Sequence, residues 1–285
     1  VPSHPASVRA RVVFLHGWCQ SHDCWLKTAT RLRDRYGHDS LLMDFYGHGR
    51  SPYPSKYSDL TPKLLVAQVR AAIETLGWQH TPVVFAGISL GASVALLYAE
   101  LYPENVCRFV FLAPSGRKED SSFNFAVAST YVTNFAVRCA KILENIGLGK
   151  SLEFWPVKRM IAQLNLITST PNYGTKDELD YLQGKRLTVL LGQFDFIHSA
   201  QVHKWKLAGG YGIGRYNEDS HVEVKPYEFH ASMCYDPDRW RLDLIPEAWH
   251  PKENPYFAYR NEQMYIRETA GKKASKPKSP IMSKL

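Results

Sequence analysis

The sequence predicts an α/β fold: a mostly parallel sheet with helices on both faces and one helical insertion. Three observations predict it. Apolar runs of strand length alternate with amphipathic stretches of helix length from residue 8 to about residue 113. The apolar runs are nearly continuous, as in strands buried on both faces. The rhythm then breaks from about Gly116 to Leu182 before strand-like runs resume.

Taken in order, Val8 to Leu15 reads as a strand and Asp23 to Tyr36 as a helix. Asp39 to Asp44 reads as a short strand. Pro62 to Leu76 reads as a helix, with apolar residues at Leu65, Val66, Val69, Ile73 and Leu76 recurring at helical spacing. Val83 to Ile88 reads as a buried strand, Gly91 to Leu101 as a helix ending before Pro103, and Val106 to Leu112 as a strand. Strand pattern returns at Arg186 to Leu191 and at Val222 to Val224. There are no internal repeats.

A chain of 285 residues with 45% hydrophobic and 22% charged residues can bury a large core, which excludes disordered and collagen-like classes. No apolar run reaches the roughly 20 residues of a membrane span, so no transmembrane segment and a soluble chain are expected. The five cysteines are an odd count without a CxxC pair, which argues against a disulfide framework or thiolate zinc site and for a reducing compartment. The net charge of +8 is concentrated: Glu268 to Leu285 holds five lysines against one glutamate, half of the excess. That pattern reads as a solvated basic tail rather than a nucleic-acid surface.

These readings divide the chain into a core of residues 1–115 and 183–267, an insertion of residues 116–182, and a flexible basic tail of residues 268–285. An insertion after a strand of a parallel sheet lies over the carboxyl ends of the strands, where such folds bind ligands, so it is expected to act as a lid. Its aromatics (Phe123, Phe125, Tyr131, Phe135, Trp155, Tyr173) are expected to form its own small core.

The most informative stretch is Val83 to Gly91, which holds Gly87-Ile88-Ser89-Leu90-Gly91 between a predicted strand and a predicted helix. A nucleophilic serine must be lifted out on a sharp, strained turn, and the glycines Gly87 and Gly91 remove side chains that would collide there. The helix that follows aims its first amides at the place where negative charge develops in acyl transfer. Ser89 is therefore the candidate nucleophile, and the backbone N–H of Leu90 a candidate oxyanion donor.

With that turn in place, the chain resembles the α/β-hydrolase superfamily over most of its length. Four stretches carry the resemblance in order: His16-Gly17-Trp18, Asp44-x-x-Gly47-His48-Gly49-Arg50-Ser51, the serine turn, and Gly192-Gln193-Phe194-Asp195. The resemblance implies the α/β-hydrolase fold with a helical lid, and a triad in the order nucleophile, acid, histidine. The superfamily has two opening strands before the His-Gly strand, whereas only seven residues precede Val8. Six strands rather than eight are expected.

The resemblance also assigns the second oxyanion donor to the backbone N–H of Trp18, with Gly17 and a hydrogen-bonding His16 supporting the turn. Asp195 lies three residues past the glycine that ends the strand Thr188 to Gly192, where a carboxylate can hold an imidazole in the right tautomer. Two histidines compete for the base. His221 follows the acidic turn Asn217 to Ser220 but opens the last predicted strand. His230 comes four residues after Pro226 and precedes a helix-like segment with Met233. That order is similar to the family's strand, proline, loop and histidine, and it favours His230, with Phe229 standing where the family commonly has glycine. His221 remains the runner-up.

No metal is expected: there is no HExxH, and His198 and His203 are not at metal-ligating spacing. The run Gly209-Gly210-Tyr211-Gly212-Ile213-Gly214 follows a helix-like stretch, so it reads as a loop rather than a phosphate cradle. The last residues, Ser283-Lys284-Leu285, form the peroxisomal import tripeptide. The expectation is a cofactor-free peroxisomal serine hydrolase of esters or thioesters with lipid-like or acyl substrates, and the import receptor as a partner. A cytoplasmic location is the alternative. On the same triad a carbon–carbon bond hydrolase or lyase, or a receptor of this fold that binds without turnover, remains open.

Overall fold

The computed structural model describes residues 9–56, 59–114, 186–195 and 221–249, with a few positions between 135 and 166. Most of the predicted lid, the glycine run at 209–214, His198, His203 and the tail with its final tripeptide lie outside the described residues. Of the insertion's aromatics only Phe135 is described, and it is exposed rather than packed in an inner core.

The described strands are β1 (Arg11–Leu15), β2 (Asp39–Leu42), β3 (Val83–Ile88), β4 (Val106–Leu112), β5 (Arg186–Gly192) and β6 (His221–Lys225). They form one sheet of six strands in the order β2-β1-β3-β4-β5-β6, and each neighbouring pair is parallel. The described helices are α1 (Asp23–Tyr36), α2 (Pro62–Thr75), α3 (Leu90–Leu101), α4 (His230–Tyr235) and α5 (Pro246–Trp249). The parallel sheet covered by helices is the fold expected from the alternating pattern.

Side chains alternate across each strand, and the two faces bury separate clusters. Val13, Leu15, Phe85, Phe109, Phe111, Val189 and Leu191 face α2 and α3. Val12, Phe14, Val84, Ala86, Val110, Leu112 and Leu190 face Trp25, Ala29 and Leu32 of α1, with Met233 and Trp249 closing that side. Helix α3 is buried at ten consecutive positions from Leu90 to Ala99, so it is apolar almost all round.

Local chemistry sets the element ends. Thr61 caps α2 by accepting from the Leu64 N–H, and Pro62 fills the first turn, where its missing N–H costs nothing. Gly37 ends α1 in the left-handed conformation, with its N–H donating to Arg33 O at 2.8 Å. Two boundaries differ from the sequence reading by more than one residue. β1 starts at Arg11, because the Ala10 N–H is turned to His38 Nδ1. β2 stops at Leu42, because the Asp44 carboxylate folds back onto amides of neighbouring loops.

Candidate active site

The candidate residues converge at the carboxyl ends of the strands. Ser89 joins β3 to α3 with φ 47° and ψ −109°, a left-handed conformation that non-glycine residues rarely adopt. Its N–H donates to Leu112 O of β4 at 3.1 Å, which carries the sheet pairing up to Ser89. The flanking glycines are required by contact. A Cβ on Gly91 would stand 2.3 Å from Leu15 O, and one on Gly87 would stand 2.6 Å from the Ala92 N. The close approach of Gly91 also sets the serine turn against the end of β1 and the His16-Gly17-Trp18 turn.

His230 opens α4, with its Nε2 3.1 Å from Ser89 Oγ and its Nδ1 2.8 Å from Asp195 Oδ2. Asp195 is fully buried. Two loops hold this alignment: Gln193 N–H donates to Lys225 O at 3.0 Å and Phe194 N–H to Glu228 O at 2.8 Å. Gly192 allows the approach, since a Cβ there would sit 2.6 Å from Glu228 O. His221 begins β6, level with Thr188 of β5, at the end of the strand away from the loop that leads to His230. The structure thus brings Ser89, Asp195 and His230 together and leaves His221 apart from them.

Burial works against a charged His230, but hydrogen bonds to the Asp195 carboxylate and the Cys234 side chain outweigh it and raise the imidazole above its ordinary 6.5. His16 is the opposite case. Its burial lowers the pKa to about 4, so at neutral pH the ring is uncharged. Phe45 N–H donates to His16 Nε2 at 3.0 Å, which leaves Nδ1 to donate to Gly17 O at 2.7 Å. The ring joins the turn after β1 to the loop after β2.

In the His16-Gly17-Trp18 turn the Gly17 N–H donates to Gln20 Oε1 at 2.8 Å, and Gln20 Nε2 donates to Cys234 O of α4 at 2.6 Å. Trp18 is 43% exposed, and its indole N–H donates to Gln163 Oε1 at 2.7 Å. Leu90 is the first residue of α3, so its N–H has no acceptor within the helix.

Asp44 organises the neighbouring loop. Its carboxylate accepts from the His22 N–H at 2.7 Å and the Arg50 N–H at 2.9 Å, and it lies 2.9 Å from His22 Nδ1. Burial favours its neutral form, yet these bonds lower its pKa to about 2. Gly49, at φ 49°, must lack a side chain, because a Cβ would stand 2.3 Å from that carboxylate.

Gln20 and Gln163 belong to no motif, so sequence reading passes over both. Gln163 lies 145 residues from its Trp18 partner, a pairing that no local pattern signals. Among the described residues no cluster of His, Cys, Asp and Glu is arranged to hold a metal ion, and no helix is long and apolar enough to cross a membrane. None of the five cysteines is in a disulfide.

Residues 10–153 match the family described as alpha/beta hydrolase fold, and the chain belongs to that family. Over 124 residues it is 28% identical to monoacylglycerol lipase ABHD6 of Rattus norvegicus, covering 44% of this chain and 35% of that one. Over 115 residues it is 30% identical to a serine hydrolase-like protein of Danio rerio, covering 40% of this chain and 33% of that one. The matched stretch thus spans about a third of the length of these relatives. A thermophilic esterase from Thermogutta terrifontis superposes with a TM-score of 0.56 at 18% identity, covering 85% of this chain and 90% of that one. A meta-cleavage product hydrolase from Pseudomonas fluorescens does so with a TM-score of 0.55 at 15% identity, covering 84% and 90%. At these identities the likeness is one of fold.

Proposed function

We propose that the chain is a serine hydrolase that cleaves carboxylic esters or thioesters, with Ser89 as nucleophile, His230 as base and Asp195 as the acid that orients it. The observation that carries this reading is the hydrogen-bonded row Asp195–His230–Ser89, with the serine on a strained turn. A group that only binds a ligand has no need of a strained serine facing an imidazole braced by a buried carboxylate. The lipase and serine hydrolase relatives support the same reaction class.

In this reading His230 Nε2 takes the Ser89 proton as Oγ attacks the acyl carbon. The oxygen that becomes negative is received by the Trp18 and Leu90 N–H groups. His230 then hands its proton to the departing alcohol or thiol, and water releases the acyl group by the same route. Asp195 stabilises the imidazolium in both halves. The substrate is lipid-like or acyl, residues 116–182 act as its lid, and Ser283-Lys284-Leu285 addresses the protein to the peroxisomal matrix through the import receptor.

A fluorophosphonate probe tests the nucleophile: it should label the wild-type chain at Ser89 and leave Ser89→Ala untouched. Absence of label together with absence of turnover on ester and thioester panels overturns the reading in favour of a binding protein. Cleavage of a carbon–carbon substrate without ester turnover would move the assignment to that class. A fluorescent fusion that loses peroxisomal import when Leu285 is deleted checks the address.

A further inference from the structure

We propose that the cavity between the loop after β2 and the insertion is a subsite for an anionic group, a carboxylate or a phosphate, on the ester or thioester substrate, with Arg159 as the residue that selects it. The assignment rests on the hydrolase reading above. The cavity holds about 540 Å³, within the roughly 300–1,000 Å³ of small-molecule sites. Gly47, Ser51, Tyr53 and Ser55 line it from the loop, and Arg159 lines it from the insertion. Among the described residues that line it, Arg159 carries the one charge. The loop adds charge of the same sign, because its charged residues from Phe45 to Lys56 are Arg50 and Lys56, both exposed.

Packing and hydrogen bonds fix the wall that carries Arg159. Arg159, Ala162, Gln163, Asn165 and Leu166 are helical, so Arg159 and Gln163, four residues apart, lie on one side of the turn. Ala162 and Leu166 are fully buried in the core cluster, and Asn165 Nδ2 donates to Leu60 O at 2.9 Å. Gln163 Nε2 donates to Gly47 O at 3.1 Å and to Tyr53 Oη at 3.2 Å, which holds this side of the insertion against the loop. The Arg159 guanidinium lies over the Tyr53 ring, 5.2 Å from its centre. Stacking uses the flat face of a guanidinium, whereas its five N–H donors point outward in its plane, the geometry that grips a carboxylate or phosphate. The Asp44 carboxylate, packed against Gly49 of the same loop, is taken up by the His22 and Arg50 N–H groups and by the His22 ring. Gln163 also links the cavity to the candidate reaction centre, since its Oε1 accepts from the Trp18 indole N–H at 2.7 Å. One side chain separates the cavity from Trp18, a gap that a single substrate molecule can span.

The test pairs each neutral ester or thioester with an analogue that carries one carboxylate. In one series the carboxylate ends the acyl chain, and in the other it sits on the departing alcohol or thiol. Both kcat and KM are measured for the wild type, Arg159→Met, Arg159→Lys and Arg159→Glu. In the wild type the anionic member of at least one series should be favoured about 10-fold in kcat/KM, chiefly through KM, as one charge-assisted bond provides. Arg159→Met should remove the preference, Arg159→Lys should keep part of it, and Arg159→Glu should turn it against the anion. The preference is a ratio within one protein sample, so partial unfolding of a variant cancels from it. At constant ionic strength, inorganic phosphate should raise KM for the anionic member in the wild type and leave it unchanged in Arg159→Met. No preference in either series, or a preference indifferent to Arg159, overturns the inference. Phosphate bound through Arg159 while both series lack a preference also overturns it, because the site then takes a free anion rather than substrate. A chain that neither labels at Ser89 nor turns over any member overturns the hydrolase reading, and this inference with it. A labelled, active chain without the preference overturns this inference alone.

Discussion

Ser89 is held at φ 47°, where a residue with a Cβ is strained by about 1–3 kcal/mol. The surrounding contacts maintain it, because the glycines on either side touch the backbone of β1 and α3. If Ser89 and His230 act as one unit, Ser89→Ala and His230→Ala should each lower turnover by ~10⁵–10⁶-fold with circular dichroism unchanged. The decisive comparison is His221→Ala: it should retain nearly full activity, and its loss instead of that of His230→Ala would move the base to the other histidine. Because the imidazole is raised above 6.5, the rate should climb with pH as His230 loses its proton, with a midpoint above that value. A rising limb centred below 6.5 would contradict this electrostatic account.

The junctions between elements do the positioning. The turn after β5 and the turn after β6 are tied by two backbone bonds, which is why Asp195 and His230 meet although 35 residues separate them. Gly91→Ala would push a methyl group into Leu15 O and should move the serine turn away from β1. The expected outcome is a loss of roughly 1–3 kcal/mol in urea unfolding, and a larger proportional loss of activity than of stability. Equal stability and activity in that variant would show the turn to be compliant. Most of the elements were legible, since continuous apolar runs read as buried strands and the spacing of Leu65, Val66, Val69 and Ile73 reads as a helix. The ends of β1 and β2 were not, because His38 and Asp44 draw the chain off the ladder through bonds to distant amides.

The whole molecule carries two buried clusters, one on each face of the sheet. Trp25 is fully buried against Phe14 on the face of α1. Trp25→Ala should cost ~3–5 kcal/mol in equilibrium unfolding, with little change in the activity of the molecules still folded. Acid should also destabilise the fold in two steps. The unfolded chain protonates His16 below 6.5 while the folded one resists until about 4, so stability falls across that window. Asp44, held near 2 rather than 3.8, contributes fully above 3.8 and loses that contribution as pH falls towards 2. His230 acts in the reverse sense, its contribution full below 6.5 and fading as pH rises through its raised value. Urea midpoints followed into acid should show the decline, and Asp44→Asn should flatten its lower part; an equally steep fall in that variant would remove Asp44 from the explanation.

The order of strands and helices, the serine turn and the glycines around it can be read from the chain alone. Their causes are local: side-chain periodicity, capping, and the space that a sharp bend demands. The candidate partners Asp195 and His230 could be named but not placed, because their meeting depends on how the loops after β5 and β6 bond to each other. Gln163 could not be named at all. Its amide finds its partners only when Gln163 is brought to Trp18 and Gly47, and hydrogen bonds across that span of chain leave no periodic trace in the residues that make them.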